Sequence, residues 1–201
     1  MALGRVVVNA HDRIDVICSD RRTMRVEGTL SAAIGKEMTF YDLLRVAENE
    51  YDAVIIDVAP SISHLQSCAM AYTRNVLIPV SMDSLAVEGA MASLTSVEML
   101  NKLLRLGCRC VGFLPTQVDQ RTSATEIVLR TLREQSQQTG IPILHSIRTD
   151  QSVNRALRNH AFLQDLDPKS KALEDYRAAC GELLAVLAGN DVQAHQHQKV
   201  G

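Results

Sequence analysis

Asp57 is the residue most clearly placed to do chemistry. It ends the run Ala53-Val54-Ile55-Ile56 and precedes Val58-Ala59-Pro60-Ser61. A continuous apolar run closed by one carboxylate reads as a strand buried on both faces. Its acid then stands at the carboxyl end, where open α/β sheets bind ligands. There Asp57 serves as a Mg²⁺-side carboxylate, reaching the metal directly or through water, or else it caps the helix that follows. A phosphate-binding loop would complete such a site. The one Gly-Lys pair, Gly35-Lys36, does not form one, because Leu30 stands where a glycine is required and Glu37 where Ser or Thr is required. The pair reads as a turn. His64 reads as a surface or partly buried histidine. Cys108-Arg109-Cys110 has no second cysteine pair, and His195 and His197 have no acidic or thiol companions, so neither reads as a zinc site.

The elements that must position Asp57 follow from periodicity. Val6–Val8 and Ile14–Ile17 read as short strands around His11-Asp12-Arg13. A short helix is open over Leu30–Ile34, and Thr39 caps a helix over Phe40–Asn49. After Asp57 a helix runs from Ser61 to Tyr72, and Val76–Val80 is the next buried strand. Asp83 or Ser84 caps a helix to about Leu106, closed by Gly107, with Val87, Met91, Leu94, Val97 and Leu104 on its core face. Val111–Thr116 is another strand. The capping box Ser123 to Glu126 opens a helix to Gln138, and Ile143–Ile147 is the last strand. Asp150 N-caps Gln151–Asn159. Asp167-Pro168 opens a final helix whose apolar face is Leu173, Tyr176, Cys180, Leu183 and Leu187. Residues 1–188 then form one domain, and the polar stretch 189–201 reads as a disordered tail.

The stretch YDAVIIDVAPS resembles the second nucleotide motif of the ParA/MinD family, the deviant P-loop ATPases that segregate plasmids and chromosomes. Val76–Val80, Glu88-Gly89, Val111–Thr116, Asp119–Thr122, Ile147–Asp150 and Asp167–Lys171 with Tyr176 match that family's later segments in order, across residues 14 to 188. The match is strongest to the plasmid-type ParA branch. The resemblance implies a three-layer α/β fold, a mostly parallel sheet with helices on both faces. It implies ATP and Mg²⁺ as cofactors, with Asp57 on the metal side and Pro60 and Ser61 in a switch. Thr116, Arg148 and Asp150 fall on the base side. Thr116 equally reads as a strand-end threonine bonded to its own loop, and Asp150 as a plain cap. The resemblance also implies a cytoplasmic, nucleoid-associated homodimer that binds DNA without sequence preference and answers to a ParB-like centromere-binding protein. The family's phosphate loop has no counterpart, so the chain is expected to be N-terminally incomplete and not competent in ATP hydrolysis by itself.

Composition bounds the alternatives. A chain of 201 residues with 46% apolar and 22% charged residues can bury a globular core. Its net charge of −2 does not announce nucleic acid, so DNA contact requires a local patch. Arg121, Arg148, Arg155 and Arg158 supply the candidates, the last two one helical turn apart, and a solvated face is the competing reading. No apolar run reaches 18 residues, and Asn190–Gly201 holds a single lysine and no large apolar residue except valine, so a MinD-like membrane helix is not expected. The five cysteines, in or beside apolar runs, read as buried thiols in a reducing cytosol. The rival function is a catalytically inactive ParA-like adaptor that binds a protein partner.

Overall fold

In the computed structural model the described residues are 6–20, 23, 25, 26, 28, 35–45, 49–59, 63–105 and 107–197. The Leu30–Ile34 helix, Pro60 and Ser61 lie outside them. The chain divides into two compact units, Met1–Arg74 with Met99–Cys108, and Asn75–Glu98 with Arg109–Gly201.

The first unit opens with strands β1 (Val7–His11) and β2 (Ile14–Ile17), paired antiparallel. Arg13 takes the left-handed conformation that their tight connection requires, at φ 60°. Tyr51 donates its hydroxyl to Asp15 at 2.6 Å, and Asn9 donates to the same carboxylate at 2.8 Å. Gly35 turns with φ 70° and accepts from the Met38 N–H, so Gly35-Lys36 is a turn leading into the 3-10 segment Lys36–Met38. Helix α1 (Thr39–Leu44) is shorter than expected and starts from Met38 without a side-chain cap. Helix α2 (His64–Thr73) is capped by Ser63, whose hydroxyl accepts from Gln66 N–H, and it buries Cys68, Ala69, Met70 and Ala71.

The expected central strand at Val54–Ile56 is corrected here. Residues 53–59 form no strand, and Ile55 is 93% exposed. A strand exists only while a neighbour takes its N–H and C=O groups, and no described residue does so for this segment. Apolar content alone does not make a ladder.

The second unit holds the parallel pair β3 (Asn75–Ser81) and β4 (Arg109–Thr116), in register from Asn75 opposite Arg109 to Ser81 opposite Thr116. Both are apolar runs; β4 is buried or half-buried along its whole length, whereas β3 buries Ile78 and Val80 on one face and leaves Pro79 exposed. Helix α3 (Ser84–Leu104) is capped by the Asp83 carboxylate, which accepts from Leu85 and Ala86 N–H. Its end is turned by Arg105 at φ 52°, two residues before the expected glycine. Helix α4 (Ser123–Thr139) is capped by Thr122 rather than Ser123, and Gly140 at φ 72° closes it. Ile78, Val80, Val87, Ala90, Leu94, Phe113, Val128 and Leu132 pack as the core of this unit. The segment 143–148 runs parallel to β4, bridging Phe113 at Ile143 and, just past β4, Val118 at Arg148, with Leu144 and Ile147 N–H donating to Phe113 and Pro115; it is an interrupted version of the expected last strand. Gly112 permits its approach, since a Cβ there would lie 2.9 Å from Leu144 Cγ.

Helices α5 (Gln151–Arg158), α6 (Leu163–Leu166) and α7 (Lys171–His197) complete the chain. Helix α7 begins three residues after Pro168, where the Ser170 hydroxyl accepts from Leu173 N–H, and its bounds run through the stretch expected to be a loose tail. Its buried positions are Ala172, Asp175 and Ala179, whereas Tyr176 is 41% exposed and Cys180 is exposed. The helix is therefore rotated from the expected face, and a carboxylate points inward.

Candidate functional site

Asp57 belongs to the first unit, is exposed, and makes no hydrogen bond or ion pair among the described residues. A carboxylate with no structural employment suits a hard cation, which takes oxygen ligands. Among the described residues no three His, Cys, Asp or Glu side chains group to hold a metal by themselves.

The remaining described candidates all lie in the second unit. Thr116 ends β4. Gln117 then reverses the backbone at φ 56°, and Val118 N–H donates to the Ile147 carbonyl at 3.0 Å while Thr149 N–H donates back to Val118 at 3.0 Å. These bonds lay loop 117–122 beside 147–150. The two loops and the facing side of α7 enclose an open cleft of about 810 Å³, lined by Asp119, Arg121, His145, Arg148, Asp175 and Glu182 among others.

Arg148 is held by Asp175 through two parallel bonds, Nε to Oδ2 and Nη2 to Oδ1, both 2.6 Å, and its backbone N–H donates to the same carboxylate at 3.0 Å. The Asp175 side chain is only 3% exposed. The guanidinium, aided by the Arg148 N–H and by His145, overcomes burial and holds the Asp175 carboxyl at about 2. Glu182 accepts the His145 N–H at 2.6 Å. Helix α7 thus grips the 145–148 segment from two of its turns. Asp175 and Glu182 were not recognised from sequence. The available signal was a carboxylate in the apolar period between Ala172 and Ala179, which requires a buried cationic partner.

Asp150 caps two helices together. It accepts from the Ser152 N–H and hydroxyl at the start of α5, and from the Ser170 hydroxyl and Ala172 N–H at the start of α7. The Ser152 bonds, chiefly, hold its carboxyl at about 2. Its oxygens are spent on structure, as the capping reading expected.

The four arginines of the DNA patch are unequal. Arg121 donates Nε and Nη2 to the two oxygens of Asp119, at 2.9 and 2.7 Å, and Arg121 holds that carboxyl at about 2. Arg155 pairs with Asp167 at 2.9 Å, and Arg148 is committed to Asp175. Arg158 makes no ion pair among the described residues. The structure brings Arg121 and Arg148 to one cleft, and Arg155 and Arg158 to one short helix.

A parallel strand pair under helices, with loops converging at the carboxyl end of β4, defines an α/β fold of the nucleotide-binding kind. The sequence model of the family described as AAA domain matches residues 2–107, and the chain belongs to that family, within the ParA/MinD group of P-loop ATPases. It is 27% identical over 178 residues to the sporulation initiation inhibitor protein Soj of Bacillus subtilis, covering 87% of this chain and 68% of that protein. It is 30% identical over 139 residues to the chromosome-partitioning ATPase Soj of Thermus thermophilus, covering 67% of this chain and 53% of that protein. McdA of Cyanothece in complex with ATP shares the fold, with a TM-score of 0.77 at 18% identity over 92% of this chain and 70% of that one. The chain thus spans between about half and seven tenths of these proteins. Among its described residues no helix is long and apolar enough to cross a membrane.

Proposed function

We propose that this chain serves in ParA-type partition of plasmids or chromosomes, as the part of an ATP-dependent switch that carries the metal-side carboxylate and the base-side loops. The observation that carries this reading is the ordered set of family segments, from Asp57 through Ile147–Asp150, on a fold similar to that of an ATP-bound relative. The free carboxylate of Asp57 fits Mg²⁺. Asp57 would help hold a bound Mg²⁺, which would supply positive charge to offset that of the nucleotide phosphates. Thr116 ends the strand beside the cleft, while Arg148 and Asp150 shape its wall through Asp175 and the α7 start rather than by offering free side chains. Pro60 and Ser61 would form the switch. Homodimerisation, a ParB-like partner and nucleoid association belong to the same reading.

DNA contact rests on Arg158 and on the displaceable partners of Arg121 and Arg155, because those exposed ion pairs exchange with solvent and phosphate more readily than the buried one. Binding of random-sequence duplexes tests this. The reading expects low-salt retention without sequence preference and a steep loss with added salt. Binding to one duplex sequence alone, or none at low salt, would contradict it. The second reading, an adaptor without catalysis, is favoured by a different observation. The first unit exposes large apolar side chains, among them Val8 and Val16, which share one face of the β1–β2 ribbon, and such a face suits a protein partner.

A further inference from the structure

The cleft between loops 117–122 and 147–150 contains two arginines, and each is already bound by an aspartate of the same chain. A carboxylate taking Nε and Nη2 occupies the same donors that a phosphate would take, since both anions accept the guanidinium fork through two parallel N–H···O bonds. The two pairs differ in their surroundings. Each aspartate also accepts the backbone N–H of its own arginine, so the difference is burial: Asp175 is 3% exposed, and releasing Arg148 would leave a buried charge without its partner. Arg121 is 87% exposed and Asp119 is 29% exposed, both on one loop two residues apart. Here release costs only an exchange of one solvated anion for another. Arg121 also immediately precedes the Thr122 cap of α4, where the helix dipole favours an arriving anion.

We propose that Asp119 is a built-in counter-ion that competes with DNA phosphate for Arg121, so that phosphate binding at this cleft runs through Arg121 and is held in check by Asp119, while Arg148 is withdrawn from it. The inference rests on the DNA-binding reading above and specifies how that surface is regulated. The exchange is noncovalent. One Arg–carboxylate pair opens, one Arg–phosphate pair forms, and one counterion leaves the duplex.

The test is fluorescence anisotropy of a labelled random-sequence duplex against the full chain at a series of salt concentrations. Native protein is compared with Asp119→Asn, Arg121→Ala and the double variant. Freeing one arginine for one phosphate should tighten low-salt binding of Asp119→Asn several-fold and steepen the slope of log K against log salt by about 0.9. In the Arg121→Ala background the Asp119 change should have no effect, because the donors it guards are gone. MgATP titrated in place of the duplex distinguishes the two phosphate sources, and native chain and Asp119→Asn alike should show no micromolar binding to it. The proposal is overturned if Asp119→Asn binds as native protein does, if it tightens binding equally without Arg121, or if it moves the nucleotide titration instead of the duplex one. Native binding with a slope that Asp119 does not touch removes only the counter-ion. No binding by any variant removes the DNA reading with it.

Discussion

Asp175→Asn isolates the clamp between α7 and the 145–148 segment. The substitution keeps the side chain's shape, but its amide presents two donors toward a site that now receives Arg148 Nε, Nη2 and backbone N–H. A carboxyl held at about 2 instead of 3.8 corresponds to about 2.5 kcal/mol of folding free energy, at roughly 1.4 kcal/mol per pH unit. Arg148 is 46% exposed, so solvent screens part of this, and a net loss of about 1–2 kcal/mol is expected. For a chain of this size that lowers the midpoint of thermal unfolding by roughly 2–8 °C. The folded-state value is depressed, so the stabilisation is fully present above the ordinary carboxyl value near 3.8 and is lost as pH falls through about 2. Thermal melts of native and variant chains should therefore differ between pH 5 and 7 and converge as pH falls from 4 to 2. Hydrogen exchange at the Arg148 amide should quicken in the variant at neutral pH. Equal midpoints at pH 6, or a difference that persists unchanged at pH 2, would refute the assignment of this energy to an ionised Asp175.

Other expectations follow from single contacts. Gly112→Ala should destabilise the second unit by about 1–3 kcal/mol in urea unfolding, because the new Cβ meets Leu144, and Leu144→Ala should recover part of that loss. Arg158→Ala should reduce the salt slope of duplex binding by about one ion, while Arg155→Ala, which loses a guanidinium already paired with Asp167, should reduce it less. The amides of Val54 to Ile56 should exchange rapidly, and size-exclusion chromatography should show association through the exposed first unit. A sharp monomer peak with slow exchange at these residues would show that the segment pairs after all.

Apolar runs revealed β3 and β4 because each has the other as a partner within the chain. Val54–Ile56 carries the same pattern and forms no strand, since pairing is a property of two segments and the sequence of one cannot supply it. Helix starts were legible to within a residue or a few. Thr122 and Ser123 both offer a hydroxyl, and geometry chose the one whose backbone is extended. The inward face of α7 was misjudged for an electrostatic reason. Tyr176 and Cys180 are the larger apolar side chains, yet Arg148 requires a carboxylate, and satisfying it rotates Asp175 inward with Ala172 and Ala179. Asp150 was legible as a cap, but its second helix lies 20 residues onward at Ser170, beyond any local pattern.

We propose that Asp57 and the loops after β4 belong to a ParA-type site, and the 201 residues hold no GxxxxGK[ST] run to cradle phosphate. Isothermal calorimetry of MgATP against the chain, with released phosphate followed in parallel, tests it most directly. No affinity in the micromolar range and no phosphate release above a protein-free blank are expected, because Gly35-Lys36 is a turn and no glycine-rich run accompanies it in the sequence. Micromolar binding with Mg²⁺-dependent phosphate release, lost in Asp57→Asn, would contradict it.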